Sequence, residues 1–182
     1  MLLKLFPGQQ EDERIFLIIR QHWFVFFKKF LGWLIFLVIL IVGDRLVSFY
    51  LTDFLKPPYV NIVNLVELIY LMFLILGLFI LWILYYLNVQ IVTNERVVDI
   101  TQKSLLNHTI SELHLNRIQD VTAEVHGLLP TMLDYGNVYL QTAAETERFA
   151  FEQVPNPTKV SKLILDLYEQ LPKEDKLKGE QE

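Results

Sequence analysis

Hydrophobic positions follow two regimes along this chain. Between Phe30 and Leu87 they run together, and beyond Leu87 they alternate with polar positions at a period near two. The run FLGWLIFLVILIVG, Phe30–Gly43, resumes after Asp44-Arg45 as LVSFYL and ends at Leu51. A membrane-crossing helix needs about 20 apolar residues, and residues 30–51 supply that length. A helix of a soluble core would carry a polar stripe, and the first fourteen positions show none. A second run, LIYLMFLILGLFILWILYYL, Leu68–Leu87, contains no charge. Between them, TDFLKPPYVN carries Pro57-Pro58, which cannot continue a helix. The pattern predicts two antiparallel transmembrane helices, 30–51 and 62–87, joined by a short external loop, 52–61. Trp33, Trp82, Tyr85 and Tyr86 lie toward the ends where aromatic belts form.

Residues 1–29 read as a juxtamembrane segment, basic and aromatic. ERIFLIIRQHWFVFFKK, Glu13–Lys29, leads into the first span, with Lys28 and Lys29 reaching back to the headgroups. Such a stretch can also lie in the interface, which makes Arg20, Lys28 and Lys29 candidate contacts for anionic lipid. Arg14, Arg20, Lys28 and Lys29 precede the first span and Arg96 and Lys103 follow the second, against Lys56 and Arg45 near the loop. That bias places both termini in the cytoplasm.

After Leu87 the alternation predicts antiparallel strands with one wet face. In RVVDI, Val98 and Ile100 oppose Val97 and Asp99. DVTAEVH, NVYLQT and ERFAFEQ alternate likewise, with Phe149 and Phe151 inward. Asn94-Glu95, Gln102–Ser104 and Ala144–Thr146 fall at reversals. VPNPTKVSKLILDLYEQLP ends the domain as a helix, with Asn156 as N-cap and Pro157 in its first turn. Val160, Leu163, Ile164, Leu167 and Leu171 form one apolar stripe. A charged tail, 172–182, follows. About six or seven strands closed by one helix describe a small curled sheet with a plug.

Composition adds limits. The residues from Asn88 onward hold nine Lys/Arg against fifteen Asp/Glu. An acidic domain is a poor ligand for phosphate backbones, so nucleic acid is not an expected partner. With no cysteine, disulfides and thiolate chemistry are excluded within the chain. No cleavable signal peptide is expected, because Glu11–Arg14 comes first and no small-residue cleavage site follows the first apolar run.

Several motifs carry a resemblance. VTNERVVDI, IQDV, LLPTMLDYGNVYLQTA and FEQVPNP occur in that order, after FPGQQEDERIFLIIRQHW and two spans. This resembles the bacterial pleckstrin-homology-like (PH) domain of small membrane proteins, over nearly the whole chain to about Leu171. The resemblance implies a membrane α-helical hairpin followed by a small α+β PH-like domain, 88–171. That domain would be two packed antiparallel sheets or a split barrel, capped by the C-terminal helix. It also implies a bacterial inner membrane. Similar proteins tend to have Gly where Ser104 and Ala144 stand, so those turns are expected to differ slightly.

Specific chemistry is sparse. The first hairpin, Val89–Thr101, sets Arg96 and the following Lys103 beside Glu95 and Asp99, which is no phosphate cradle. His22, His108, His114 and His126 show no zinc-ligand spacing. No nucleophile elbow, HExxH or phosphate-binding loop is present. Asp120 and Glu124 share a strand face and read as solvated carboxylates. Asp44, Arg45 and Glu67 form a candidate intramembrane polar cluster, with Arg45 and Glu67 expected to pair between helices. An exposed sheet edge can accept a peptide strand, and this needs no motif.

The expectation is a non-enzymatic, membrane-anchored interaction module without catalytic residues, cofactor or metal. It binds a protein partner or itself at the cytoplasmic face of the bilayer. The alternatives are an anionic-lipid-responsive module and an accessory subunit of a membrane transporter.

Overall fold

The computed structural model describes Gln9 and residues 13–50, 56–142 and 149–172. The elements are β1 (Ile15–Arg20), α1 (Trp23–Tyr50), α2 (Tyr59–Leu87), β2 (Val89–Thr93), β3 (Arg96–Gln102) and β4 (His108–His114). They continue with a short 3-10 turn (Leu115–Arg117), β5 (Ile118–Glu124), α3 (Leu128–Leu133), β6 (Tyr135–Thr142), β7 (Phe149–Pro155) and α4 (Pro157–Gln170). The chain divides into two compact units. One is Trp23–Tyr85; the other joins the residues up to His22 with those from Tyr86 onward. The expected loop positions Thr52–Leu55, the reversal Ala144–Thr146 and the tail from Lys173 lie outside the described residues.

The helical unit is an antiparallel pair. Trp33 Nε1–H donates to the Leu74 carbonyl at 3.0 Å, and the Tyr70 hydroxyl to that of Phe36 at 3.1 Å. Near the other end of the pair, the Phe26 and Tyr85 rings lie 5.4 Å apart. The remaining apolar surface points away from the pair; Ile35 and Phe73 are each 61% exposed. α1 begins at Trp23 rather than Phe30, and α2 at Tyr59 rather than residue 62. Nothing between Trp23 and Lys29 breaks a helix, so the apolar run extends toward the N-terminus. At 28 and 29 residues, the helices are about 42 and 44 Å long.

The second unit is built on two antiparallel sheets, ordered β1-β2-β3-β4 and β5-β6-β7. Val92, Val97 and Leu113 from the first sheet meet Val121, Leu140 and Phe151 from the second. α4 adds Val160, Ile164 and Leu167 to this core, with Leu163 and Leu171 flanking it, so the apolar stripe packs as its spacing requires. Asn156 does stand at the N-cap, but its side chain caps nothing. Its backbone is left-handed (φ 50°), and a capping side chain works from extended geometry. Its N–H instead donates to the Asp134 carbonyl at 2.7 Å. Ser104 avoids the positive φ that glycine would accept. Its turn closes through bonds from the Lys103 and Ser104 N–H groups to the Asn107 carbonyl.

One sequence-based boundary is corrected. Residues 1–29 do not form a single juxtamembrane segment, because Ile15–Arg20 is strand β1 of the sheet unit. Ile18 stands opposite Ile91 and Arg20 opposite Val89. The sheet unit therefore starts before the two helices and resumes after them, and does not begin at residue 88. Ile19 enters the main core and Leu17 packs against it, while Ile15 packs with Ile91 and Val98 in a smaller apolar cluster. With apolar residues on both faces, β1 shows no alternation by which to recognise it.

Candidate functional site

Arg96 lies under the β2–β3 turn, at the end of the sheet unit remote from Arg20 and Val89. Its Nε and Nη2 donate to the two oxygens of Glu13 at 2.9 and 2.8 Å, and Nη1 donates to Glu112. The Glu13 side chain is fully buried and that of Arg96 nearly so. Thr93 completes the group. Its hydroxyl lies 2.8 Å from both Glu13 Oε1 and the Arg96 carbonyl, and accepts from the Arg96 N–H at 3.0 Å. Hydrogen bonding to Glu13 raises the Arg96 pKa further above its ordinary value. The one arginine of the first hairpin is thus committed to two carboxylates and has no fork left for a phosphate.

The other candidate residues are not gathered into one site. Arg20 sits on β1 with its guanidinium 3.9 Å from the centre of the Tyr86 ring. Lys28 and Lys29 belong to α1, both exposed. Asp44, Arg45 and Glu67 make no ion pair with one another. The contacts of Trp33 with Leu74 and of Phe36 with Tyr70 set the helix register. In that register Arg45 stands level with Asn61 and Ile62, more than one turn (about 5.4 Å) from Glu67. His108 and His114 occupy opposite ends of β4, about 20 Å apart. His126 is exposed and lies 3.0 Å from Glu124. Asp120 engages Thr122 instead of Glu124. His22 stacks on Tyr135 with ring centres 4.9 Å apart, and burial lowers its pKa while Asp134 opposes the shift.

Asp99, which the sequence sets beside Arg96, is a half-buried carboxylate. It stands opposite Gln90 on β2 and Ser111 on β4. Desolvation raises its pKa, partly offset by hydrogen bonds from Thr101 (2.7 Å) and Gln90; Glu152 adds to the rise. Its folded pKa therefore exceeds its unfolded one, and the folded state holds this proton more tightly. Stability contributed by Asp99 declines as pH rises from the ordinary carboxylate range through the raised value. Asp99→Asn should raise the denaturation midpoint of the sheet unit at pH 7 and flatten its decline between pH 4 and 7. Equal midpoints and equal pH slopes for wild type and variant would contradict this assignment.

β4 offers a different kind of site. It pairs with β3 along its whole length, Arg96 opposite His114 through Gln102 opposite His108. Among the described residues no strand pairs with its other side. Alternate N–H and C=O groups of such an edge point away from the sheet without partners, a template for another strand. No proline, bulge or lysine interrupts β4, and its side chains are mostly exposed. β1, the other edge of the sheet, carries a bulge between Ile15 and Leu17, and in the second sheet α4 packs against β5 and β6.

Residues 30–168 match the family model described as bacterial PH domain. The match takes in most of α1, all of α2, and the sheet unit from β2 into α4; β1 precedes it. Among solved structures, the chain is similar to a DUF1696 family protein with a pleckstrin-homology domain from Shewanella loihica PV-4. The identity is 14%, over 44% of this chain and 70% of that chain, with a TM-score of 0.37. No curated protein matches.

Proposed function

The chain belongs to the bacterial PH domain family, and from that premise we propose that it is a non-enzymatic, membrane-anchored interaction module. Its sheet domain binds an extended segment of a protein partner, or of a second copy, by strand addition along β4. The open edge of β4 is the observation that carries this reading. Main-chain bonds supply affinity in such pairing, so no catalytic or ligand motif is required. Two features support the anchor. α1 and α2 each exceed the length needed to cross about 30 Å of hydrocarbon, and their apolar side chains face outward around the pair. The cations flanking the helices support a cytoplasmic sheet domain at a bacterial inner membrane. Anchoring confines the domain to one surface and raises its effective concentration toward other membrane components.

Proline tests the edge. Ile110 and Ser111 are neighbours in β4, so their N–H groups point to opposite sides of the strand. Of Ile110→Pro and Ser111→Pro, one removes an outward donor and keeps the pairing with β3. Circular dichroism of the full-length protein identifies the variant that retains the sheet. Native mass spectrometry of wild type, gently extracted from its membrane, is expected to show a second polypeptide or a self-multiple. The folded proline variant should lose it. Retention of that mass by the folded variant, or a bare wild-type monomer, would overturn the proposal.

A further inference from the structure

Five apolar side chains stand in two tips at one end of the sheet domain, and connectivity identifies that end. β1 stops at Arg20 just before α1 begins at Trp23, and α2 stops at Leu87 just before β2 begins at Val89. Arg20 and Val89 are cross-strand partners, so the chain leaves and re-enters the domain at one place.

The first tip is the β3–β4 turn. The Gln102 N–H donates to Asn88 Oδ1 at 2.6 Å, so this turn springs from beside the residue that links α2 to β2. Leu105 and Leu106 within it are 54% and 92% exposed. The second tip is α3, where Leu128, Leu129 and Met132 are 78%, 51% and 74% exposed. α3 leads through Asp134 into Tyr135, whose ring stacks on His22. The His22 N–H is bonded to the Gln153 carbonyl at 2.8 Å, and the next residue opens α1. Both tips therefore flank the exit and entry points. The opposite end, at the β2–β3 turn, exposes a polar hollow lined by Asn94, Glu95, His114, Asn116 and the aliphatic Leu171.

Turns ordinarily use Gly, Pro, Asn, Asp or Ser, because those residues satisfy the backbone locally. Neither the fold of the β3–β4 turn nor that of α3 requires large apolar side chains in water. The stretch Gly127–Leu133 carries no charge, and the first tip is preceded by the exposed cation Lys103. Apolar residues bordered by a cation suit the headgroup region; Asp134 is the one anion that borders α3. We infer that Leu105-Leu106 and Leu128-Leu129-Met132 dip into the headgroup–acyl boundary of the bilayer that anchors the chain. The domain is then held against the membrane by its two tips as well as by its two connections. This rests on the membrane reading above, and its occupant is lipid, not protein.

The absence of cysteine makes the test direct. Single cysteines are placed at Leu106→Cys and Met132→Cys in the tips, Ile75→Cys in α2 and His114→Cys at the far end. Each carries an environment-sensitive fluorophore in the full-length protein. The proteins are reconstituted in phosphatidylethanolamine–phosphatidylglycerol vesicles with or without lipid spin-labelled near the headgroup or along the acyl chain. Quenching of the residue 75 probe by acyl-chain label reports the anchor. Probes at 106 and 132 are expected to be blue-shifted and quenched about two-fold more than the probe at 114, as for interfacial side chains. If 75 is quenched while 106 and 132 behave like 114, the inference fails and the anchor stands. Blue-shifted tip probes that lipid label does not quench would place the tips against protein, which also overturns it. An unquenched probe at 75 removes the anchor and the inference together.

Discussion

Arg96→Met is expected to destabilise the sheet domain by about 3–5 kcal/mol, the usual cost of removing one partner from a buried ion pair. The argument starts from Glu13, whose side chain is fully buried. In the wild type its two oxygens accept from Arg96 Nε and Nη2, and Thr93 approaches one of them. Without the guanidinium, the buried carboxylate keeps the Thr93 hydroxyl but loses both charge-assisted bonds. Glu112 is less affected, because its side chain is one-third exposed and can turn to solvent. Arg96→Lys should recover little, since an ammonium cannot reproduce the bidentate fork. The double variant Glu13→Met with Arg96→Met removes both charges together and should cost far less than the two single changes summed. The readout is the denaturation midpoint of the sheet domain, with hydrogen exchange across β1 and β2. Glu13 immediately precedes β1, and reciprocal bonds join Arg14 and Asn94 at the β2–β3 turn. Loss of the ion pair should therefore deprotect β1 first. A cost below about 1 kcal/mol would mean that the carboxylate finds water or a proton when its partner leaves.

The partners in this cluster lie beyond the reach of sequence periodicity. Local features were legible: two long apolar runs, alternation through the later strands, and the stripe on α4. Each depends on neighbours within a few positions, which is the range that periodicity reports. The sequence sets Arg96 beside Glu95 and Asp99, but its partners are Glu13 and Glu112. Glu13 lies on the far side of both long helices in the chain, and no periodic signal spans that distance. Strand β1 is hidden from the local pattern as well. Ile15–Arg20 is strand-length, rich in isoleucine and bounded by Arg14 and Gln21, features that permit a strand. Its apolar continuity with Trp23 onward nevertheless made it look like the start of a membrane helix. The β4 edge and the two apolar tips are products of sheet order and of cross-strand register. Both become visible only when the partner of each strand is known.

Gly136→Ala should damage the sheet domain, and its cause is steric, not torsional. Gly136 is absent from the positive-φ residues, so alanine could adopt its backbone angles. The obstacle is the adjoining strand. An added Cβ would fall inside the van der Waals envelope of the Glu124 carbonyl oxygen, 2.9 Å from Val125 Cγ2 and 3.2 Å from the Glu124 carbonyl carbon. A side chain can rotate away from such an intrusion, but a carbonyl of β5 cannot move without opening the β5–β6 ladder. Ladder pairs begin at Glu124 opposite Asn137, and β6 is already irregular between Gly136 and Val138. Overpacking of a dense interior costs about 1–3 kcal/mol and sometimes more; a backbone obstacle places this case at the upper end. The damage should spread to α3, which bridges β5 and β6 at this point. Hydrogen exchange should therefore show deprotection from Thr122 to Leu133, with β2 and β3 affected less. Gly43→Ala is the matched control. Nothing lies within 4 Å of its added Cβ, and alanine favours a helix interior by about 1 kcal/mol over glycine. If Gly136→Ala left both the midpoint and the α3 exchange at wild-type values, β5 would be free to yield. The close packing of its carbonyl on Gly136 would then not be what seats α3 at the end of the domain.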